Sequence, residues 1–152
     1  MVFGIRSSDH TLYQVAKASV SVDNELVNAI GKGMCLLVGL SVDDTKEDVD
    51  WMANKLLKVR LFDNGTNIVD NGLEMLSISQ FTLHATLKGN ALDYHKAMKS
   101  AEAKRVYDSF LELLRGKYNA EKIRDGKFGA MMEVGIVNDG PYTIILDSKN
   151  RK

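Results

Sequence analysis

The sequence has little of several features that would assign a protein to a particular class. Its 152 residues include one cysteine and one proline, and 20 basic residues balance 20 acidic ones. The single thiol, Cys35, excludes an internal disulfide and fits a reducing compartment, so we expect a cytoplasmic protein. No run approaches the roughly 20 apolar residues of a membrane span, and the start of the chain lacks the apolar core of a secretory signal.

The balanced charge limits the kind of nucleic acid that the chain can bind. A protein that coats a nucleic-acid backbone is usually clearly basic, whereas the formal net charge here is +0. We therefore expect no DNA partner and no membrane partner, and any contact with RNA is expected to involve only a short end of it.

Length and composition predict a single domain over residues 1–152. Apolar residues make up 45% of the chain, which is enough for a packed core without disulfides or metals. Residues 1–10 are polar and irregular and are predicted to form a loose N-terminal arm. The sequence contains no repeat and no linker.

Several segments have the pattern of β-strands. From Val15 to Val22 the alternation of apolar and polar residues becomes regular, as in a half-buried strand. A turn at Asp23–Asn24 is then predicted to lead into a second strand from Leu26 to Ile30. The continuous apolar run from Met34 to Leu40 is typical of a central strand buried on both faces. A short extended piece is predicted just before Asp125-Gly126.

Two segments have helical spacing of their apolar residues. The first follows a predicted capping box of Asp44 and Glu47 and runs to about Val59. The second is predicted from about Asp93 to Arg115, with Gly116 as its C-terminal cap. With six or seven strands grouped at both ends of the chain, the pattern predicts one mixed α/β domain.

A polar cluster follows the apolar part of a strand predicted from Leu73 to Leu83. Alternation would place Ser79 and Phe81 on one face, and Gln80 and Thr82 on the other. Such polar residues face either a pocket or merely solvent, and the pattern alone favours neither. His84 would share the face of Thr82, which would suggest a hydroxyl next to a base.

The only proline, Pro141, follows Gly140 between two segments with strand composition. These segments are Ala130 to Val137 and Tyr142 to Leu146. The simplest interpretation is a tight hairpin turn, because glycine adopts dihedrals closed to other residues and proline lacks an N–H for a ladder.

Sites that depend on metals or cofactors have no support in the sequence. A zinc site needs several ligands at short spacing, whereas the histidines His10, His84 and His95 are scattered. There is no G-x-S-x-G elbow and no Walker loop. We therefore predict neither a metal nor a cofactor.

Two segments together resemble the D-aminoacyl-tRNA deacylase family. They are SISQFTLHA and VNDGPYTIILD, and the family signatures are Ser-Gln-x-Thr and Asn-x-Gly-Pro-x-Thr. The chain has both signatures in full. KASVSVD, LLVGLSVDD and DGKFGAMM are also similar to family segments, so the resemblance extends from about Tyr13 to Asp147.

The resemblance implies a homodimer with an α/β fold, in which a mixed sheet carries helices on one face and packs on further strands in three layers. Such proteins hydrolyse the ester that joins a D-amino acid, or glycine, to the terminal adenosine of tRNA. They thereby recycle tRNA and enforce homochirality in translation. Each site lies at the dimer interface, where a cis Gly-Pro peptide from one subunit enters the pocket of the other.

The resemblance also assigns roles to individual residues. Backbone groups of the Gly-Pro peptide hold the substrate amino group and exclude an L side chain. The ribose 2′-hydroxyl helps to activate water, so Thr82 is given a positioning role. The implied sets are catalytic Ser79, Gln80, Phe81 and Thr82, substrate-binding Met131, Asn138, Gly140, Pro141 and Thr143, and Lys88 as a contact to the 3′ end of tRNA.

Three departures from the family pattern leave the specificity open. The family arginine that braces the Gly-Pro corner is Gln14 here, the valine after Gly-Pro is Tyr142, and the loop after Lys88 lacks its proline. Glutamine and an aromatic residue at the first two places resemble a sister branch that removes L-alanine from threonine tRNA and holds Gly-Pro in trans. Besides a D-aminoacyl-tRNA deacylase and an enzyme of this sister branch, a non-catalytic dimer that binds RNA ends is a third possible function.

Overall fold

The fold is organised around its first strand, β1, which pairs with other strands along both of its edges. The computed structural model describes residues 9–151. Its elements are β1 (Asp9–Val22), β2 (Glu25–Ile30), β3 (Gly33–Val38), α1 (Lys46–Lys58), β4 (Glu74–Ser79), β5 (Thr86–Lys88), β6 (Ala91–Asp93), α2 (Ser100–Lys117), β7 (Ile123–Asp125) and β8 (Glu133–Asp147).

Within the described residues, six strands curve into one nearly closed sheet, and β5 and β6 form a separate two-stranded sheet. β8 runs antiparallel along one edge of β1, and β3 and β2 share the other edge. β3, β4 and β7 then pair in parallel. At the far side, Asn28 Nδ2 on β2 donates to the carbonyl oxygen of Asp125 on β7 at 2.6 Å, which brings the two ends of the sheet together.

Two apolar clusters form the core, one on each side of the sheet. Helices α1 and α2 pack Met52, Leu56 and Phe110 against one face. The other cluster lies inside the curved sheet and includes Cys35 and Leu76. Successive side chains of a strand point to opposite faces, so β3 contributes to both clusters, as its unbroken apolar run predicts. The prediction of a mixed α/β fold is confirmed.

The first two strands and their turn agree closely with the sequence pattern. Asp23 and Asn24 both have positive φ angles, of 51° and 65°, as a two-residue type I′ hairpin turn requires. The predicted N-terminal arm falls mainly on residues 1–8, which lie outside the described residues. Asp9 and His10 are the first residues of β1.

α1 ends at Lys58, close to the predicted end at Val59, but three other features of the helix ends differ from the prediction. The capping box of α1 uses Thr45 and Asp48, one position later than predicted, and it buries the Asp48 carboxylate. α2 begins at Ser100 and not at Asp93, because residues 91–93 pair with β5. Gly116 lies in the last turn of α2 and is not its C-terminal cap. Neither helix, among the residues described, is long and apolar enough to cross a membrane.

Candidate active site

The first motif forms a short turn and not a continuous strand. β4 ends at Ser79, because its partner β3 ends at Val38. The N–H of Gln80 donates to the carbonyl of Val38 at 2.8 Å, and Phe81 to His84 then form one turn of 3-10 helix. We call residues 80–84 the motif turn. The predicted strand from Leu73 to Leu83 is therefore too long by several residues.

The predicted faces of this segment are wrong for the same reason. In a helix with three residues per turn, positions i and i+2 lie about 240° apart, so Thr82 and His84 point in different directions. Thr82 is exposed, whereas His84 is buried. The two side chains do not form a hydroxyl and base pair.

The motif turn presents two free backbone donors. As the first residues of a helical turn, Phe81 and Thr82 have no carbonyl in the preceding turn to bind. Among the described residues, neither N–H has an acceptor. The side-chain amide of Gln80 donates to Thr82 Oγ1, which fixes the Thr82 side chain beside these donors.

The second motif forms a bulge in one continuous strand and not a hairpin turn. Both halves of β8 pair with β1 in the same antiparallel direction. Tyr13 lies opposite Thr143 and Val15 lies opposite Asn138, so residues 139–142 project from the sheet. We call them the β8 bulge. The predicted start at Ala130 is also early, since β8 begins at Glu133.

The side chain of Asn138 holds the bulge together. Its Oδ1 accepts from the Tyr142 N–H at 3.1 Å, and its Nδ2 donates to Thr143 Oγ1 at 2.9 Å. The Gly140–Pro141 peptide is cis, and Gly140 has a φ angle of +118°, a region that favours glycine. Residues 139–143 are all exposed.

A residue that the sequence patterns did not single out lies beside the motif turn. The rings of Phe81 and Tyr94 pack with their centroids 5.2 Å apart, although Phe81 remains 59% exposed. The signal in the sequence was that Tyr94 is an aromatic residue in a polar loop. Its contact with Phe81 depends on the path of the chain after β6, which the local sequence pattern does not predict.

Comparison with known proteins identifies the family. A family model described as D-Tyr-tRNA(Tyr) deacylase matches residues 11–147. A Candida glabrata protein named D-aminoacyl-tRNA deacylase is 49% identical over 143 residues, which cover 90% of this chain and 96% of that protein. The chain belongs to the D-aminoacyl-tRNA deacylase family.

One further relative and two solved structures are also similar to this chain. The Danio rerio protein named D-aminoacyl-tRNA deacylase 1 is 48% identical over 143 residues, covering 90% of this chain and 69% of that protein. A solved structure titled c-Myc DNA Unwinding Element Binding Protein superposes with a TM-score of 0.87 at 45% identity, covering 91% of this chain and 97% of the other. A probable eukaryotic D-amino acid tRNA deacylase, at a TM-score of 0.80 and 17% identity over 93% of this chain and 99% of the other, shares the fold.

Two departures from the usual deacylase pattern lie at the β8 bulge. Gln14 lies on β1 between Tyr13 and Val15, the two residues that pair with the flanks of the bulge, and it is buried. Its Oε1 has no hydrogen-bond partner among the described residues. The Tyr142 ring packs against Gly140, since a Cβ added there would lie 2.4 Å from Tyr142 Cδ2.

The other residues assigned by the deacylase resemblance lie on the surface. Lys88 is exposed at the end of β5, and Met131 is 91% exposed just before β8. No hydrogen bond joins the motif turn to the β8 bulge within the described part of one chain. A small crevice in the described residues lies elsewhere, beside His10, Asp44 and Ser148.

Proposed function

We propose that the chain hydrolyses the ester that joins a D-amino acid to the terminal adenosine of tRNA. The observation that carries the proposal is the pair of free N–H groups on Phe81 and Thr82 within an intact family motif. Ester hydrolysis needs a placed water and stabilisation of the oxyanion that develops on the carbonyl oxygen. Backbone donors that are already oriented supply the second requirement.

The four residues of the first motif, Ser79 to Thr82, have separate parts in this proposal. Phe81 and Thr82 donate their N–H groups to the oxyanion, and Gln80 positions the Thr82 hydroxyl. Ser79 is the last residue of β4 and sets where the turn begins. Thr82 positions the substrate and does not attack it, so Thr82→Ala should retain measurable activity. Complete loss with intact folding would favour a nucleophile.

The β8 bulge is the proposed filter for chirality. Gly140 and Pro141, held by Asn138 and Thr143, enter the pocket of a partner subunit and exclude an L side chain by steric conflict. Met131, which is 91% exposed, is a further substrate-binding residue in this proposal. A site built in this way is complete only in a homodimer.

The exposed side of β8 supports the homodimer. Within the described residues β8 pairs only with β1, so its other edge has unpaired backbone groups, which favour pairing with another chain. The strand also exposes Val137, Tyr142 and Ile145. Sedimentation of the purified protein tests the dimer, and a monomer at micromolar concentration would contradict it.

The 3′ end of tRNA is the proposed nucleic-acid partner. Lys88 contacts a phosphate near that end, and the balanced charge of the chain leaves few further contacts. Binding should therefore weaken only gently with salt, with a slope that falls by about one in Lys88→Ala. A steep slope would contradict an end-only contact. The proposed location is the cytoplasm, where tRNA is charged.

One alternative has specific support. Gln14 and Tyr142 replace the usual arginine and valine at the bulge, as in the sister branch that acts on L-alanyl esters of threonine tRNA. The Oε1 atom of Gln14 is buried and has no hydrogen-bond partner among the described residues, so this oxygen does not brace the bulge. Relaxed specificity would follow from such a bulge.

A side-by-side deacylation assay separates the alternatives. The substrates are D-tyrosyl-tRNA, L-tyrosyl-tRNA, glycyl-tRNA and L-alanyl-tRNA for threonine. We expect rapid loss of the D and glycyl esters only, which would support a role in homochirality. Loss of the L-alanyl ester would favour the sister branch, and no hydrolysis would favour a non-catalytic module. Pro141→Ala should weaken D/L discrimination, and unchanged discrimination would exclude its role as a filter.

A further inference from the structure

A buried histidine at the end of the motif turn has no part in the chemistry proposed above. His84 is only 3% exposed and is the last residue of the helical turn. Its ring hydrogen-bonds to the backbone carbonyl of Gly39. The Nε2 atom is buried and has no hydrogen-bond partner among the described residues.

The contact of the His84 ring attaches the second end of the motif turn. The first residue of the turn, Gln80, donates its N–H to the carbonyl of Val38, and the last residue binds the next carbonyl, that of Gly39. Both ends of the turn are thus attached to consecutive residues at the end of β3. The free N–H groups of Phe81 and Thr82 lie between these two attachments.

We propose that His84 is a positioning residue, whose neutral ring holds the Phe81 and Thr82 N–H groups toward the oxyanion and whose protonation releases the turn. This inference rests on the proposed function. A second N–H on the protonated ring would be buried without an acceptor, which is costly. The turn would then open to water, and the two donors would lose their orientation.

The surroundings of His84 favour its neutral form. Burial lowers the pKa of His84 below its usual 6.5 and is the largest influence. Two charged groups act on the ring: the Asp147 carboxylate at the end of β8 raises the pKa, and the Lys96 ammonium before α2 lowers it further. Below pH of about 6.5 the unfolded chain binds a proton that the folded chain does not, so folding stability decreases as the pH falls toward the folded-state pKa.

Two variants test the inference through kcat, KM and the pH profile. His84→Leu removes the bond to Gly39, whereas His84→Gln keeps a neutral donor. We expect His84→Leu to lower kcat by about 10- to 100-fold. Its KM should change little, because the oxyanion forms only in the transition state. His84→Gln should recover most of the lost kcat and remove the decrease of the rate at acid pH.

The matched control is His95→Gln, since His95 is an exposed histidine in the segment after β6. It should keep the acid decrease of the wild-type protein. The amino group of the substrate titrates equally in all variants, so only differences between profiles count. Wild-type kcat in His84→Leu, or an unchanged acid decrease in His84→Gln, would overturn the inference.

A further measurement covers variants that fail to fold. In the wild-type protein, the NMR titration of the His84 ring should have the same midpoint as the acid decrease in rate, and a separate midpoint would refute the inference. If the wild-type protein hydrolyses none of the esters, the proposed function fails. The inference fails on its own if esters are hydrolysed but the His84 variants behave like wild type.

Discussion

The two motifs are held in place by different means. The motif turn is attached at both ends to β3, and it follows a strand in the middle of the sheet. The β8 bulge lies on an edge strand, is exposed throughout and depends on the side chain of Asn138. The proposed catalytic donors are therefore positioned by the core, whereas the proposed filter is positioned locally. Local substitutions should change the bulge without unfolding the protein.

The largest effect is expected from Gly140→Ala. A Cβ at this position would lie 2.4 Å from Tyr142 Cδ2, and its φ of +118° disfavours L side chains. We expect kcat/KM to decrease by about 100-fold, as for a displacement of about 1 Å. The free energy of unfolding should decrease by about 1–3 kcal/mol, the cost of holding a non-glycine residue in this backbone region, as measured by thermal unfolding.

The matched control for this substitution is Gly31→Ala, where an added Cβ meets no atom within 4 Å. It should leave both quantities close to wild type. Full activity of Gly140→Ala would mean that the bulge adapts to a side chain and that its shape does not determine catalysis.

A smaller effect is expected from Asn138→Ala, which removes both hydrogen bonds of the bulge. We expect kcat/KM to decrease by about fivefold, since two exposed bonds contribute roughly 1 kcal/mol together. Asn138→Asp keeps an acceptor for the Tyr142 N–H and should lose less. If both variants hydrolyse the D-ester like wild type, the bulge does not depend on this side chain.

The smallest effect on catalysis is expected from Tyr107→Phe in the core. The Tyr107 hydroxyl donates to Ser77 Oγ at 3.0 Å, and both groups are buried. Its loss leaves the Ser77 hydroxyl unpaired and should lower the free energy of unfolding by about 1–2 kcal/mol, as measured by urea denaturation. The kcat/KM of the folded protein should stay within about twofold of wild type. A tenfold decrease would show that the motif turn responds to distant core contacts.

Local patterns in the sequence were sufficient for much of the fold and for the residues of the candidate site. The turn at Asp23–Asn24 and the doubly buried β3 follow from backbone preferences and burial alone. The helical spacing of apolar residues identified α1 and most of α2. The two motifs are sufficient to indicate the family, because their residue types and order are specific.

Pairing between strands that are distant in the sequence determined the features that local patterns could not predict. β4 ends at Ser79 because β3 offers no further partner, and that ending creates the motif turn. The Gly140–Pro141 corner projects from one strand because both of its flanks pair with β1. The positions of Tyr94 and His84 depend on contacts with Phe81 and Gly39, which are distant from them in the sequence. Residue types thus determined which chemistry is available, and hydrogen bonds between distant strands determined where each group points.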